Sequence, residues 1–166
     1  NSKVDGATWE DVAAVLAHLS KPASNYVRLK YEPMNDYAYK RWYAKTLAST
    51  AKYVLSMRDR NGSLVCEEWP VGKLMALVHL AVDVDIHPHI CDQCKGRGNA
   101  LVVGKLENCT VCGGTGKRKI THAYCAKRLG VTSPAYTQLW KRRHDVIQSA
   151  LTEWERELHS LLKMHL

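Results

Sequence analysis

Apolar residues recur along this chain mostly at intervals of three and four positions, the spacing of a helix that buries one face. The spacing predicts helices over about residues 8–19, 36–60, 70–84, 121–129 and 133–162. Pro22 and Pro33 bracket a stretch that we expect to be less regular. Alternation with a period of two is almost absent, and only residues 100–103 are expected to form a short hairpin arm. The pattern therefore predicts an all-α fold with a small irregular part.

Start and stop signals flank the predicted helices. Thr8 is the expected N-cap of the first, and Asn35 or Asp36 is that of the long helix that follows. The Asn61-Gly62 pair is expected to end the long helix, because glycine readily adopts the left-handed conformation found after many helix C-termini. These signals set the expected limits of the N-terminal helical part.

Charge is concentrated in one segment of this 166-residue chain. The net charge is +8, and residues 91–143 alone carry +9. Such an excess favours a polyanionic partner, above all nucleic acid. The longest apolar run, residues 74–84, is interrupted by His79 and Asp83 and is shorter than the roughly 20 residues that span a bilayer. We therefore expect no membrane segment.

Four of the six cysteines lie in two similar octets, CDQCKGRG at 91–98 and CTVCGGTG at 109–116. Two residues between paired cysteines allow a tight turn to bring both sulfurs to one point, and the two turns together supply four thiolates. Four thiolates leave no coordination position for a catalytic water, so we predict one structural zinc ion. Its predicted ligands are Cys91, Cys94, Cys109 and Cys112.

Other interpretations of the cysteines are less favoured. The first residues lack the apolar stretch of a secretory signal, so we expect reduced thiols in a cytoplasm rather than two disulfides. Two glycine-rich copies are also untypical of a redox C-x-x-C motif. His87 and His89 precede the first octet and are expected to be loop residues rather than ligands. Cys66 and Cys125 are expected to be small buried side chains.

Residues 122–141 have the layout of a helix-turn-helix. Ala126 is expected where two helices nearly touch, and Gly130 supplies the left-handed residue that opens the turn. Thr132 or Ser133 then caps the second helix, and Pro134 fits its first turn. The buried positions would be Cys125, Leu129, Val131, Tyr136 and Leu139.

The outward positions of this segment predict contacts with double-stranded DNA. Ser, Thr and Gln side chains can address base edges, while Lys and Arg meet phosphates or guanine. The basic run 117–119 lies between the second octet and the first helix, where it could follow the phosphate backbone. An ordinary helical hairpin is the alternative interpretation. The predicted DNA-binding residues are Lys117, Arg118, Lys119, Ser133, Thr137, Gln138, Lys141 and Arg142.

The chain is thus divided into an N-terminal helical part (1–90), a zinc-binding loop (91–116) and a helix-turn-helix part with a long C-terminal helix (117–166). The apolar stripe of that last helix is expected to pack against the N-terminal helices, with a partner or self-association surface as the alternative.

Two C-x-x-C-x-G-x-G knuckles, a basic run, the Ala123-Tyr124 pair that opens a helix, and Trp140 in a long helix together resemble the Q transcription antiterminators of lambda-like bacteriophages. The likeness spans about residues 72–155. It implies a non-enzymatic protein of the host bacterial cytoplasm that binds a DNA element in the late promoter. It also implies contact with RNA polymerase, at the flap of the β subunit and the σ factor, followed by readthrough of pauses and terminators.

The sequence also bears on three other classes of function. A zinc-stabilised helix-turn-helix repressor or activator would use the same DNA chemistry. DnaJ-type chaperones share the knuckles, but they normally carry four of them and a J-domain His-Pro-Asp. An enzyme is disfavoured, since the sequence has no Ser-His-Asp order, no paired carboxylates near a histidine and no P-loop. No small-molecule substrate is expected.

Overall fold

The computed structural model describes residues 6–66, 69–87, 90–91, 93–102, 105–117 and 120–165. This part of the chain is mostly helical, as the apolar spacing predicts. Its helices are α1 (Trp9–Val15), α2 (Lys21–Tyr31), α3 (Asp36–Ser56), α4 (Val71–Ile86), α5 (His122–Leu129), α6 (Ser133–Ala135) and α7 (Lys141–His165). A 3₁₀ turn, Leu16–His18, extends α1, and a π-helical segment, Tyr136–Trp140, joins α6 to α7. The strands are β1 (Asn99–Val102) and β2 (Lys105–Asn108).

The start of α1 has the capping box that its sequence predicts. The hydroxyl of Thr8 accepts a hydrogen bond from the amide of Asp11, and the Asp11 carboxylate accepts one from the amide of Thr8. Both are amides that the first turn would otherwise leave unpaired. The bonds donated by Thr8 also lower the pKa of the Asp11 carboxyl.

The stretch between Pro22 and Pro33 is the helix α2, so the expectation of irregular structure there is wrong. Pro22 lies in the first turn, where its missing amide hydrogen costs no intrahelical bond, and Pro33 follows the end of the helix at Glu32. The prolines therefore mark the two limits of a helix. Within it, Tyr26 and Val27 are completely buried, and α2 packs against α3 and α7.

The long helix α3 ends at Ser56, earlier than the expected limit near residue 60. Met57 has extended backbone, and the chain then reverses so that Arg58 forms an antiparallel bridge with Leu64. The Asn61-Gly62 pair lies at the tip of this reversal, with Gly62 at φ 81°. The pair thus makes a tight turn between two short extended segments rather than a helix C-cap.

Helices α4 and α7 contribute many of the buried side chains of the main core. Helix α4 packs against α3, α5 and α7, and α7 also contacts α1 and α2. Leu77 and Val78 on α4 are completely buried, as are Ile147 and Leu151 on α7. Each such side chain contributes roughly 1.5–3 kcal/mol through its removal from water. The expectation that the apolar stripe of the last helix packs on the N-terminal helices is confirmed.

Helix α5 and the helical stretch that follows it meet at a sharp turn. Ala126 is almost completely buried, and Gly130 adopts the left-handed conformation at φ 69°, both as the sequence predicts. The Lys73 ammonium donates a hydrogen bond to the carbonyl of Leu129 at 2.9 Å, which satisfies an unpaired group at the C-terminus of α5. The hydroxyl of Thr132 caps α6.

The π-helical segment changes which residues the second helix buries. A π turn holds more residues than an α turn, so the apolar stripe shifts along the sequence. Tyr136, Trp140 and His144 occupy the buried positions. Leu139 was expected there and is 60% exposed instead. That expectation is wrong because it assumed a regular α-helical period through this segment.

The hairpin arm expected near residues 100–103 is confirmed as β1. It pairs with β2 in antiparallel register, with Asn99 opposite Asn108 and Val102 opposite Lys105. The hairpin lies between the two cysteine octets. None of the helices in the described ranges combines the length and the apolar composition needed to cross a membrane.

Candidate metal centre

The two cysteine octets pair with each other through reciprocal backbone hydrogen bonds. The amide of Cys91 donates to the carbonyl of Gly116 at 2.9 Å, and the amide of Cys109 donates to the carbonyl of Gly98 at 2.7 Å. The first cysteine of each octet is thereby fixed to the last glycine of the other. This approximate two-fold arrangement places the four thiols around one point.

The four sulfur atoms lie close enough together to bind one metal ion. All four Sγ atoms lie within 4.8 Å of one another. The Cys91 and Cys109 sulfurs are 3.8 Å apart, and those of Cys94 and Cys112 are 3.7 Å apart. A tetrahedron with metal–sulfur bonds of about 2.3 Å has sulfur–sulfur edges of roughly 3.8 Å. The residues present therefore fit one metal ion held by four thiolates.

The four cysteines are buried without being oxidised. Each is at most 2% exposed, none forms a disulfide, and together they make a small cluster separate from the main core. Four thiols would gain little from one another by packing alone. Their burial around a common point is what a metal ligand set requires.

Backbone amides favour the ionised form of one ligand. Burial acts to raise the pKa of Cys112, but hydrogen bonds to its sulfur outweigh this effect and lower the pKa to about 7. The amide of Gly116 donates to the Cys112 sulfur at 3.3 Å. Burial raises the pKa of Cys94. Amide-to-sulfur hydrogen bonds of this kind orient a ligand and stabilise its negative charge.

Two glycines allow the octets to come this close. A Cβ atom at Gly98 would lie 2.3 Å from the carbonyl oxygen of Gly114, and one at Gly116 would lie 2.3 Å from that of Gly96. Both glycines have positive φ, at 76° and 70°. A side chain at either position would separate the octets and move the sulfurs apart.

We expect Gly116→Ala to weaken metal binding roughly 10–100-fold, the range typical of damage to the groups that orient metal ligands. Gly113→Ala is the matched control, because Gly113 also has positive φ (62°) but has nothing within 4 Å of the added methyl group. The control should lose only about 1–2 kcal/mol of folding free energy, because an alanine is strained in the left-handed backbone conformation. Competition against a chromophoric chelator measures both affinities. Equal affinities of the two variants would show that the close approach of the octets does not hold the site together.

His87 lies in the loop after α4, as expected, and its ring nitrogens contact other residues. The Nδ1 atom of His87 is 2.8 Å from a carboxylate oxygen of Asp83, and its Nε2 atom is 2.8 Å from the hydroxyl of Tyr39. His89 lies outside the described residues. Cys66 and Cys125 are 5% and 3% exposed, which confirms that they are buried side chains apart from the metal cluster.

The predicted DNA-contact residues after Gly130 are mostly at the surface. Ser133, Thr137, Gln138 and Arg142 are exposed, whereas the Lys141 ammonium pairs with the carboxylate of Asp145. The Thr137 hydroxyl donates to the carbonyl of Ser133 at 3.0 Å and lies 3.2 Å from the Nδ1 atom of His122.

Two exposed side chains of this surface, those of Gln138 and Arg142, have no hydrogen-bonding or ion-pair partner among the described residues. They line an open groove of about 510 Å³ together with Trp69. Lys117 is exposed at the end of the second octet, while Arg118 and Lys119 lie outside the described residues.

The sequence analysis missed a buried polar pair beneath this surface. The Tyr136 hydroxyl is 2.7 Å from the Nδ1 atom of His144, whose Nε2 atom has no hydrogen-bond partner among the described residues. Burial lowers the pKa of His144, so the ring stays neutral and packs as part of the core. Residues eight positions apart in a helix are separated by about 12 Å along its axis, so no local pattern in the sequence signals this contact. The guanidinium of the adjacent Arg143 lies over the rings of Trp140 and Trp69.

Comparison with known proteins adds no assignment. Neither a scan against protein-family models nor a search of curated proteins finds a match for this chain. The function of the protein is therefore inferred from the geometry of the site and from the sequence resemblance.

Proposed function

We propose that this protein is a zinc-stabilised, DNA-binding transcription antiterminator of a bacteriophage. The observation that carries the DNA-binding part is the exposed face of Ser133, Gln138 and Arg142, presented directly after the turn at Gly130. This is the position from which the second helix of a helix-turn-helix reaches base edges in the major groove. The net charge of +9 over residues 91–143 supplies the matching attraction to phosphates.

Zinc is the metal that we propose for the four-cysteine site. Four thiolates in tetrahedral geometry are typical of structural zinc, which has no redox chemistry and no open coordination position in such a site. The ion would fix the loop that leads from α4 to α5. Lys117, at the end of this loop, would then be held close to the start of α5 and could contact the phosphate backbone.

Gln138 and Lys117 have different roles in this proposal. Gln138 would read a base edge, so Gln138→Ala should reduce the preference for the best site over other sequences by about 1–3 kcal/mol. Lys117 would contact phosphate, so Lys117→Ala should weaken binding to all duplexes and lower the salt slope by about one. Fluorescence anisotropy with a selected site and a scrambled duplex, at several salt concentrations, measures both quantities. Identical behaviour of the two variants would contradict this division of roles.

The polymerase part of the proposal is supported by the resemblance to the Q antiterminators. Proteins of that family contact the β flap and the σ factor of a paused polymerase and then travel with the enzyme. Applied to this chain, the DNA-binding face would recruit the protein at a late promoter, and other surfaces would hold the polymerase. Nothing in this function requires catalysis by the protein.

A purified transcription assay tests the proposal directly. Polymerase is run through a terminator on two templates, one with the selected DNA site upstream and one with that site scrambled. We expect readthrough only on the first template and only when the protein is present. Equal termination with and without the protein would overturn antitermination. Reduced initiation on the same template would instead support the repressor alternative.

A further inference from the structure

The outward face of α3 carries a second concentration of positive charge, separate from residues 91–143. Residues 37–56 contain four basic residues and no acidic one. Over the N-terminal 90 residues the charges nearly cancel, so this local excess is not visible in the composition of that part. We define the α3 cationic face as Arg41, Ala44, Lys45, Ala48 and Lys52, which are all exposed.

The cations of this face differ from two cations on the neighbouring helix α2, which are held in ion pairs. Arg28 on α2 pairs with Glu32, and Lys30 pairs with two carboxylates. Within the ranges that the structure describes, the α3 cationic face has no carboxylate partner. The unpaired side chains therefore keep their full attraction for an external anion.

The spacing of the face suits a rigid, extended polyanion. Arg41, Lys45 and Lys52 follow one line along the helix, and 11 residues at a rise of about 1.5 Å separate the outer two by roughly 16 Å. Ala44 and Ala48 lie between them and leave the helix surface flat. A flat cationic surface allows close approach of a phosphate backbone along two or three successive phosphates.

One cation is held in place by its surroundings. The Lys45 ammonium lies 4.1 Å from the ring centre of Trp42, and the Arg28 guanidinium lies 5.2 Å from the same ring. Cation–π contacts restrict the side chain before any partner arrives. The face carries one exposed aromatic ring, that of Tyr37 one turn before Arg41, and none between Arg41 and Lys52, whereas single-strand binding surfaces stack successive bases on several rings.

We propose that the α3 cationic face binds the phosphate backbone of duplex DNA without sequence preference, in addition to the face that follows Gly130. The α3 cationic face lies on a different part of the molecule from the face that follows Gly130. Helix α3 contacts α2 and α4, whereas α5 contacts α4, α6 and the π-helical segment. The inference does not depend on antitermination, and it needs no base contact.

Salt dependence of binding provides the first test. The triple variant Arg41→Gln/Lys45→Gln/Lys52→Gln should lower the salt slope on a duplex by about 2.7, which is roughly 0.9 for each lost phosphate contact. The control variant Lys21→Gln/Arg60→Gln/Lys163→Gln removes the same charge from other exposed basic residues, all outside residues 91–143, and should change the slope by less than about one. Circular dichroism confirms that both variants fold. Equal slopes of the triple and control variants would overturn the proposal.

Crosslinking gives a positional readout that total charge cannot mimic. Ala48→Cys, labelled with a photoactivatable azide, should crosslink to duplex DNA, whereas labelled Ala14→Cys on α1 should not. The six native cysteines are buried, so the introduced thiol is the one that reacts. Absence of a crosslink at position 48 would overturn the assignment to duplex DNA. So would a crosslink that disappears when oligouridylate, at an equal nucleotide concentration, or polyglutamate is added as a competitor.

The same experiments separate this inference from the proposed function. If the triple variant changes the slope and Gln138→Ala leaves sequence preference intact, the α3 face stands and the base-reading role of the other face fails. If Gln138→Ala relaxes sequence preference and the triple variant matches its control, the α3 proposal fails alone.

Discussion

Cys91→Ser should abolish stoichiometric metal binding and unfold the segment between the two octets, while most of the helical core remains. Cys91 is completely buried, and a serine hydroxyl is a far weaker zinc ligand than a thiolate. Structural zinc contributes about 10–16 kcal/mol to the folding of small zinc domains, so loss of one ligand removes several kcal/mol from this segment. The helical core should persist because the four cysteines form a cluster of their own.

Cys66→Ser is the matched control for this prediction. Cys66 is also buried, but its thiol donates a hydrogen bond to the carbonyl of Val54 at 3.4 Å, away from the four clustered cysteines. The control should keep one zinc ion per chain. Elemental analysis measures the stoichiometry, and hydrogen exchange measures protection of residues 91–116 separately from that of α4 and α7. One zinc ion per chain in Cys91→Ser, with unchanged protection of the loop, would refute the four-cysteine site.

The four-cysteine cluster could be predicted from sequence because its determinants are local. Each C-x-x-C turn forms within one octet, and the glycines that permit the close approach belong to the same repeated pattern. The turn at Gly130 could be predicted for the same reason. A short segment specifies each of these features, so no knowledge of distant contacts is needed.

Features that depend on tertiary packing were missed. The π-helical segment places Leu139 at the surface and His144 in the core, and no local pattern distinguishes that segment from a regular helix. The helix α2 was missed because its two prolines were interpreted as breaks, although its buried face meets α3 and α7. The polar contacts made by that face join residues up to 124 positions apart. Sequence periodicity carries no information about such pairs.

Those long-range contacts centre on Lys30, which connects three helices. Its ammonium lies 2.9 Å from a carboxylate oxygen of Asp85 on α4 and 2.6 Å from one of Glu155 on α7. Tyr26 donates to the Asp85 carboxylate, and the Tyr31 hydroxyl donates to that of Glu155 at 2.6 Å. Burial raises the pKa of Tyr26, so this hydroxyl remains a neutral donor. One cation thus pairs with two partly buried carboxylates, and the tyrosine hydroxyls supply further hydrogen bonds to them.

Lys30→Ala should therefore destabilise the protein by about 2–4 kcal/mol. Breaking a fully buried ion pair costs about 3–5 kcal/mol, and the value is reduced here because the three charged side chains are 14–27% exposed. Lys141→Ala is the matched control: its pair with Asp145 is largely exposed and contributes about 0–1 kcal/mol. Urea denaturation of both variants measures the difference. Equal midpoints would show that Lys30 does not hold the three helices together.

The same variant should change the acid stability in a defined direction. Burial acts to raise the pKa of Glu155, but the hydrogen bonds from Lys30 and Tyr31 outweigh this effect and lower the pKa below its ordinary 4.5. A carboxyl with a lowered folded-state pKa stabilises the protein above its unfolded pKa, and this contribution is lost as pH falls through the folded value. Without Lys30, the pKa of Glu155 should rise, so acid unfolding of Lys30→Ala should begin at higher pH than in the wild type. If the pH of half-unfolding of Lys30→Ala rises only as much as the loss of stability measured in urea requires, the effect of Lys30 comes from packing of its aliphatic stem rather than from its charge.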